Sequence, residues 1–437
     1  MSSPKISWEI VLAGLTFAGI GIYLLNHNSS TRRHHTEAKV WHSKHKTPNA
    51  PDEPSLPGAI VIDLKNLDNL KNLEDLKKLK NLDQLKDIEI KLKNLDKVIN
   101  EQSSQKAQIK ENVDQSLQQL ESQLQKIGGA DYNVKLQNQK VYINKKYNVD
   151  EGKWSEVSAG IYVFRESFPV ADIKSINLDL GFGNVNIVGG DSKNAEITLR
   201  ATGNVDDPAT LSKEMVVQKN MDAPNASFKI HPSGSINLSD KINMEATLTL
   251  PKNIQINAQT SGGHITAENL SNNQVLRTSG GHISLDEIQG KTVARTEGGH
   301  ITGDRLSGNI LLSTGGGHIQ VDKFQGSLSA KTAGGHIEIQ DGEGTVNAKT
   351  AGGNISVSMS KVDGPLRFST SAGNINLYLP QDLAASLNAS GTTVTLSDAF
   401  NFKGTKAKGH ITGKINDGSL PLVVDCEYGN VYINPKQ

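Results

Sequence analysis

A single cysteine, Cys426, in a chain of 437 residues excludes an intrachain disulfide framework and any cysteine-rich metal centre. One thiol is compatible with either redox compartment. Aromatic residues make up 5% of the chain and all apolar types together 36%, so whatever core exists has to be narrow. Neither sign of charge is in excess: Lys plus Arg and Asp plus Glu are 46 each. No net field draws nucleic acid, and no interleaving of basic and aromatic residues supports it, so nucleic acid is not an expected partner. Also missing is a Ser-His-Asp set or a carboxylate pair that stands apart from its surroundings. Every candidate acid belongs to a repeated column instead of being the singular, shielded group that catalysis needs, and no enzyme is expected.

What the chain does have is a register. His264, His282, His300, His318 and His336 recur at one constant interval, each after Gly-Gly and before Ile. The frame continues through Asn354, Asn374, Thr392, His410 and Asn430 in steps of 18 or 20, which predicts about ten stacked coils. A step this short cannot hold a helical hairpin, whose repeat needs more than about 30 residues. Ile265, Ile283, Ile301, Ile319, Ile337 and Ile355 form one column, and Ala267, Leu285, Gly303, Val321, Ile339 and Val357 another two residues on. That alternation is a strand. Further apolar columns follow at Leu270, Ile288, Leu306 and Phe324, and at Leu276, Ala294, Leu312, Ala330 and Ala348, beside threonines at 278, 296, 314, 332 and 350. The expected fold is therefore mainly β, a parallel β-helix or solenoid of 18–20 residue coils. With one strand spacing per coil it is roughly 45 Å long.

The glycine pairs, Gly280-Gly281 among them, fall where the chain turns, and are expected to be corner residues that take positive φ. They are not phosphate loops, because no coil has a following helix or a Gly-Lys-Ser/Thr ending. Pro435 and the less regular stretch 132–247 are expected to cap the ends against strand addition.

The Gly-Gly-x-Ile-x-Val coils, the strand Ile176–Ile187 with its Gly-Phe-Gly-Asn-Val centre, and the Leu-Pro-Lys-Asn-Ile lead-in at 250–254 resemble the bacterial "putative adhesin" domain family with β-strand repeats. The resemblance covers residues 165–437. It implies a parallel β-helical fold in bacterial envelope or membrane-associated proteins, and it brings no catalytic residues. Histidine at five successive corners is a peculiarity of this chain within that pattern.

At the other end, Ile6 to Leu25 is long enough to cross a bilayer as a helix, with Trp8 and Tyr23 placed as interfacial aromatics and Glu9 at the border of a 16-residue apolar run. Residues 1–26 are thus expected to anchor the chain in a membrane, since no small-x-small cleavage site follows Leu25. Arg32, Arg33, Lys39, Lys44 and Lys46 would hold the remainder in the cytoplasm by the positive-inside rule, whereas the family resemblance favours the extracytoplasmic side, which we take as the expectation. Residues 27–59 form a basic linker whose histidines, His27, His34, His35, His42 and His45, lack a paired Cys-His frame. From Leu64 to Ile88 an apolar residue recurs at every third position, and from Leu95 to Ile127 the spacing relaxes to three and four. Residues 60–127 are therefore expected to be a leucine-rich helical, coiled-coil stalk that self-associates. A β-rich lead-in and capping region, 132–250, and the solenoid, 251–437, complete the domain plan.

Two columns carry candidate chemistry. His264, His282, His300, His318 and His336 stack a strand spacing apart, so their imidazoles could hold Zn²⁺, although a purely structural corner ladder, continued by Asn354 and Asn374, is the preferred reading. Glu268, Asp286, Asp304 and Asp322 form an acidic ladder with the oxygens Ca²⁺ takes, against turn carboxylates that bond their own backbone. A basic ladder runs through Arg277, Arg295, Lys331 and Lys349, broken by Ser313. Two functions follow from this reading: an anchored envelope rod that binds a surface, a glycan or a protein, or a cytoplasmic-side membrane scaffold or envelope-stress component of the bactofilin type.

Overall fold

The computed structural model describes residues 150–436 except 204, 206 and 235–237, together with the strands at 59–63, 132–137 and 140–145 and the pair 117–118. The expected anchor 6–25, the linker up to residue 58 and the leucine repeat 64–88 lie outside the described residues. Among those that are described, no helix is long and apolar enough to cross a membrane. Ala59–Asp63, at the start of the expected stalk, is a strand. It pairs antiparallel with Lys140–Lys145, which pairs in turn with Tyr132–Gln137.

The repeats form a parallel stack. Ile283 lies beside Ile301, Ile301 beside Ile319 and Ile319 beside Ile337, so each coil pairs with the coil that follows it in the chain. Each regular coil, such as Ile283–Thr296, supplies two strand halves. Ile283–Asp286 joins one row of strands, which we call the first sheet, and Thr292–Thr296 joins the second. Inward side chains of both sheets, Ile283, Leu285, Ile288 and Ala294 among them, are fully buried in one continuous core. Burying a side chain such as isoleucine contributes about 1.5–3 kcal/mol, so a narrow core repeated coil after coil is enough to hold a weakly apolar chain.

The three-residue gap between the apolar columns has a backbone cause. Asn269, Glu287, Arg305, Lys323 and Asp341 all adopt left-handed φ, between 48° and 58°. Such a residue breaks the alternation of the strand, so Asp286 and Glu287 both face outward and Ile288 turns back into the core. Phe324, the largest member of its column, is accommodated by Gly342 in the next coil, where a Cβ would lie 2.3 Å from the ring.

The stack begins earlier than the histidines. Ser175–Leu180 lies under Gln255–Thr260, and Asn184–Gly190 under Ile265–Leu270, with the intervening stretch of chain making a further layer below. There, strands Asn194–Gly203 and Ile161–Pro169 add antiparallel, and the rings of Phe168 and Phe228 pack 5.4 Å apart.

The far end departs from sequence order. Asn430–Pro435 is inserted between Ile375–Leu379 and Thr393–Leu396, and Leu420–Tyr428 between the second half of Ile355–Ala372 and Ala385–Ser390. Two expectations are thereby corrected. Pro435 is not an end cap, because it pairs with Leu379 inside the stack. His410 is not a corner of the column: it opens the strand His410–Ile415, which runs antiparallel to Ala385–Ser390 and to Phe402–Ala407 and closes this end. A repeat count alone misses this, because the inserted strands satisfy the same pattern as the coils they separate.

Candidate functional site

The corner is a small hydrogen-bonded device repeated along the stack. The Thr296 hydroxyl donates to the carbonyl of Gly281 in the preceding coil at 2.7 Å and accepts from the amide of Gly299 at 3.1 Å. Thr314, Thr332 and Thr350 repeat both bonds. Cys426 takes over the donor role in the inserted layer, its thiol reaching the Gly373 carbonyl at 3.0 Å beside Thr370. Burial raises the thiol's pKa, with Asp425 adding to it, so the lone cysteine is a protonated stand-in for threonine.

Positive φ is not what the glycine pairs supply, which corrects the expectation. A Cβ on the second glycine of a pair, Gly281, Gly299, Gly317 or Gly335, would lie 1.9 Å from the carbonyl oxygen of its counterpart one coil away. Backbone touches backbone there, and only glycine leaves room. The first glycine of each pair has no neighbour closer than 3.6 Å. Positive φ falls instead at a separate column, Gly290, Gly308, Gly326 and Gly344.

The structure brings the five histidines into one row. Successive rings are stacked with centroids 4.8–4.9 Å apart and planes within 5–11° of parallel. Each Nδ1 accepts the backbone N–H of the next corner, from His264 to His282 and onward to His336 and Asn354, at 2.8–2.9 Å. Asparagine does the same at both ends of the row: Asn184 Oδ1 accepts from His264, Asn354 Oδ1 from Asn374, and Asn374 Oδ1 from Asn430. Because the donor is a backbone N–H, Nδ1 has to be the bare nitrogen and the neutral ring carries its proton on Nε2. A metal ion at Nε2 would have to displace that proton while Nδ1 stays occupied. Among the described residues, no three of His, Cys, Asp and Glu converge as a metal-ligand group. Burial, with the adjoining imidazoles second, lowers the pKa of His282, His300 and His318 below the ordinary histidine value.

The acidic column lies on the outer face of the first sheet, with Glu268, Asp286, Asp304 and Asp322 side by side. Arg305, from the left-handed column, reaches into it. Its Nε donates to Glu287 at 3.0 Å, and its two terminal nitrogens pair with Asp304 and Asp286. The guanidinium thus supplies the positive charge that a Ca²⁺ ion would bring. Burial nonetheless holds the Asp304 carboxyl above the usual range, against the pull of Arg305. A second acidic group went unread in the sequence. Glu245 is almost wholly buried, accepts a hydrogen bond from Asn186, and is pushed by burial up to about 8 against the opposing charge of Arg200. It is protonated at neutral pH, and because the unfolded carboxyl ionises from its ordinary value of 4.5, its contribution to stability is full below that value and is lost progressively as pH rises to about 8.

The basic column occupies the outer face of the second sheet, so the chain's neutrality hides two oppositely charged faces. Arg277 and Arg295 are neighbours, Ser313 follows, then Lys331 and Lys349, with Arg367 one strand beyond in the adjacent row. None of these five cations has a carboxylate partner among the described residues.

Several solved structures share features of this chain at low identity. A "putative cell adhesion protein" from Clostridium sporogenes is 12% identical, with 63% of this chain and 99% of that one covered and a TM-score of 0.21. A "putative adhesin" from Parabacteroides distasonis is 13% identical over 49% of this chain and 96% of its own, TM-score 0.34. Another from Bacteroides fragilis is 14% identical over 62% and 96%, TM-score 0.32. No curated protein matches the chain in sequence. Residues 173–434, more than half of the chain, match the profile of a β-strand-repeat family whose span takes in the corners, both charged faces and the inserted strands: the chain belongs to the Toastrack DUF4097 family.

Proposed function

We propose that this protein is a non-enzymatic, membrane-anchored component of the bacterial envelope that displays its β-solenoid as a binding rod. The observation that carries the reading is the separation of charge onto two flat outer faces built from repeated positions. Among the described residues, polar groups lie in rows along the stack and do not converge on one reacting centre, which suits extended contact. The printed names of the solved adhesins agree with a contact role. The anchor rests on the apolar segment 6–25, and the extracytoplasmic side on the family resemblance.

A scaffold that polymerises end to end is the weaker reading, because antiparallel strands close the stack beyond residue 393. Protease added to intact spheroplasts should remove the solenoid, and the purified full chain should bind envelope fragments. A solenoid degraded only after lysis would place it on the cytoplasmic side and refute the display role.

A further inference from the structure

The basic face has a shape as well as a charge. Arg277, Arg295, Lys331, Lys349 and Arg367 span six adjacent strands, about 24 Å at one strand spacing each. Across these strands the two outward rows run from Asn257 and Gln259 to Arg367 and Ser369, and no carboxylate interrupts either. An aliphatic strip, Val275, Val293 and Leu311, runs beside the first three positions, and Leu311 is 39% exposed. At the far end the coil after Asn354 is two residues longer, and its register shift opens a depression of about 280 Å³. Ser329, Asn347, Pro365 and Arg367 line it.

The acidic face does not match this pattern, since Arg305 already answers several of its carboxylates. The cations of the second sheet have no carboxylate partner among the described residues, and they form a line and not a broad patch. A line of cations along the axis fits a linear polyanion. Hydroxyl, amide and guanidinium groups around a shallow depression fit sugar hydroxyls and a carboxylate, and aliphatic side chains give a pyranose ring an apolar surface to lie on.

We propose that the outer face of the second sheet binds an acidic polysaccharide lying along the stack axis, with one sugar of the chain seated in the depression beside Arg367. The inference rests on the display role and specifies its ligand class.

The test uses the purified full chain, with polygalacturonate as probe and neutral dextran as control, followed by calorimetry at two salt concentrations. Wild type should bind polygalacturonate and ignore dextran, and binding should weaken as salt rises. The variant R277Q/R295Q/K331Q/K349Q should bind at least tenfold more weakly, while its circular dichroism and melting temperature stay those of wild type. R367Q should weaken binding severalfold with the other four cations in place. Equal affinity for dextran, or an unchanged quadruple variant, would overturn the proposal. So would binding to phosphatidylglycerol vesicles in place of polygalacturonate, which would make the face a membrane contact. If wild type coats envelope fragments yet ignores polygalacturonate, only this inference fails; if it does neither, the display role fails with it.

Discussion

Between His282 and Gly353 the neighbours of every strand are the strands one coil away, whereas Asn374 has as its corner partners Asn354, 20 residues before it, and Asn430, 56 residues after. The corner chemistry is the same in both regions. What differs is how chain order maps onto space. The histidine region is a sum of nearest-neighbour interfaces, each of which could be lost or gained singly. The end beyond Asn354 is a closure, in which Leu420–Pro435 completes layers that earlier strands have left open. A solenoid can thus be modular in its middle and cooperative at its end.

The largest effect should come from separating those two behaviours. A chain stopped after Asp417 leaves Phe368 and Leu387 without the strand they share, and the layers beyond Ile355 should become sensitive to protease. Deleting one whole coil, 300–317, should leave a shorter, folded stack with a similar melting temperature. Protease resistance of the truncated chain up to residue 415 would show that insertion does not hold the end together.

Next comes the glycine pair. Gly299→Ala forces a Cβ against the Gly281 carbonyl and should cost about 3 kcal/mol or more in denaturant unfolding, while Gly298→Ala, with no neighbour closer than 3.9 Å, should stay within about 0.5 kcal/mol.

A smaller effect is expected at the threonine ladder. Thr314→Val strands the Gly299 carbonyl and the Gly317 amide and should cost about 2 kcal/mol. Cys426→Thr restores the ladder's usual donor and should be neutral to within about 1 kcal/mol.

The smallest effect at neutral pH belongs to the histidines. Asparagine at 282, 300 and 318 keeps an acceptor for the next corner, as it does at 354, so the triple variant should melt near wild type at pH 7.5. Protonation, by contrast, turns Nδ1 into a donor facing a donor. With folded pKa values depressed, the unfolded chain takes up protons first, so the column's contribution is complete above pH of about 6.5 and is lost as pH falls through that value and the lower folded ones. Melting curves from pH 7.5 to 5 should therefore show wild type falling faster than the variant, and parallel curves would remove the histidines as the cause.

The inward columns, the threonine column and the two charged rows were legible in the sequence, because burial and stacking constrain every coil alike and the pattern repeats without interruption. Four things were not. The left-handed column was hidden because Glu287, Arg305 and Lys323 are residue types that give no turn signal, and only the three-residue gap to Ile288 betrays them. The role of the glycine pairs was misread because positive φ and close approach select the same residue, and only distances separate them. The placement of Asn430 escaped because a column position says which corner a residue fits and not which layer it occupies. Glu245 carried no signal either, since its burial depends on Arg200 and Asn186, which join it only through long-range pairing.

The inserted strands also set an order in time. A ribosome delivers the chain from its amino end, so the regular coils can stack as they emerge, each on the one before. The layer between Ile375–Leu379 and Thr393–Leu396 has to wait, because the strand that fills it, Asn430–Pro435, is made after both of its neighbours. Until then the edges of its two future neighbours present unpaired backbone to whatever is near, including nascent copies of the same chain. A chain interrupted before Leu420 would therefore carry open edges that synthesis through Pro435 closes.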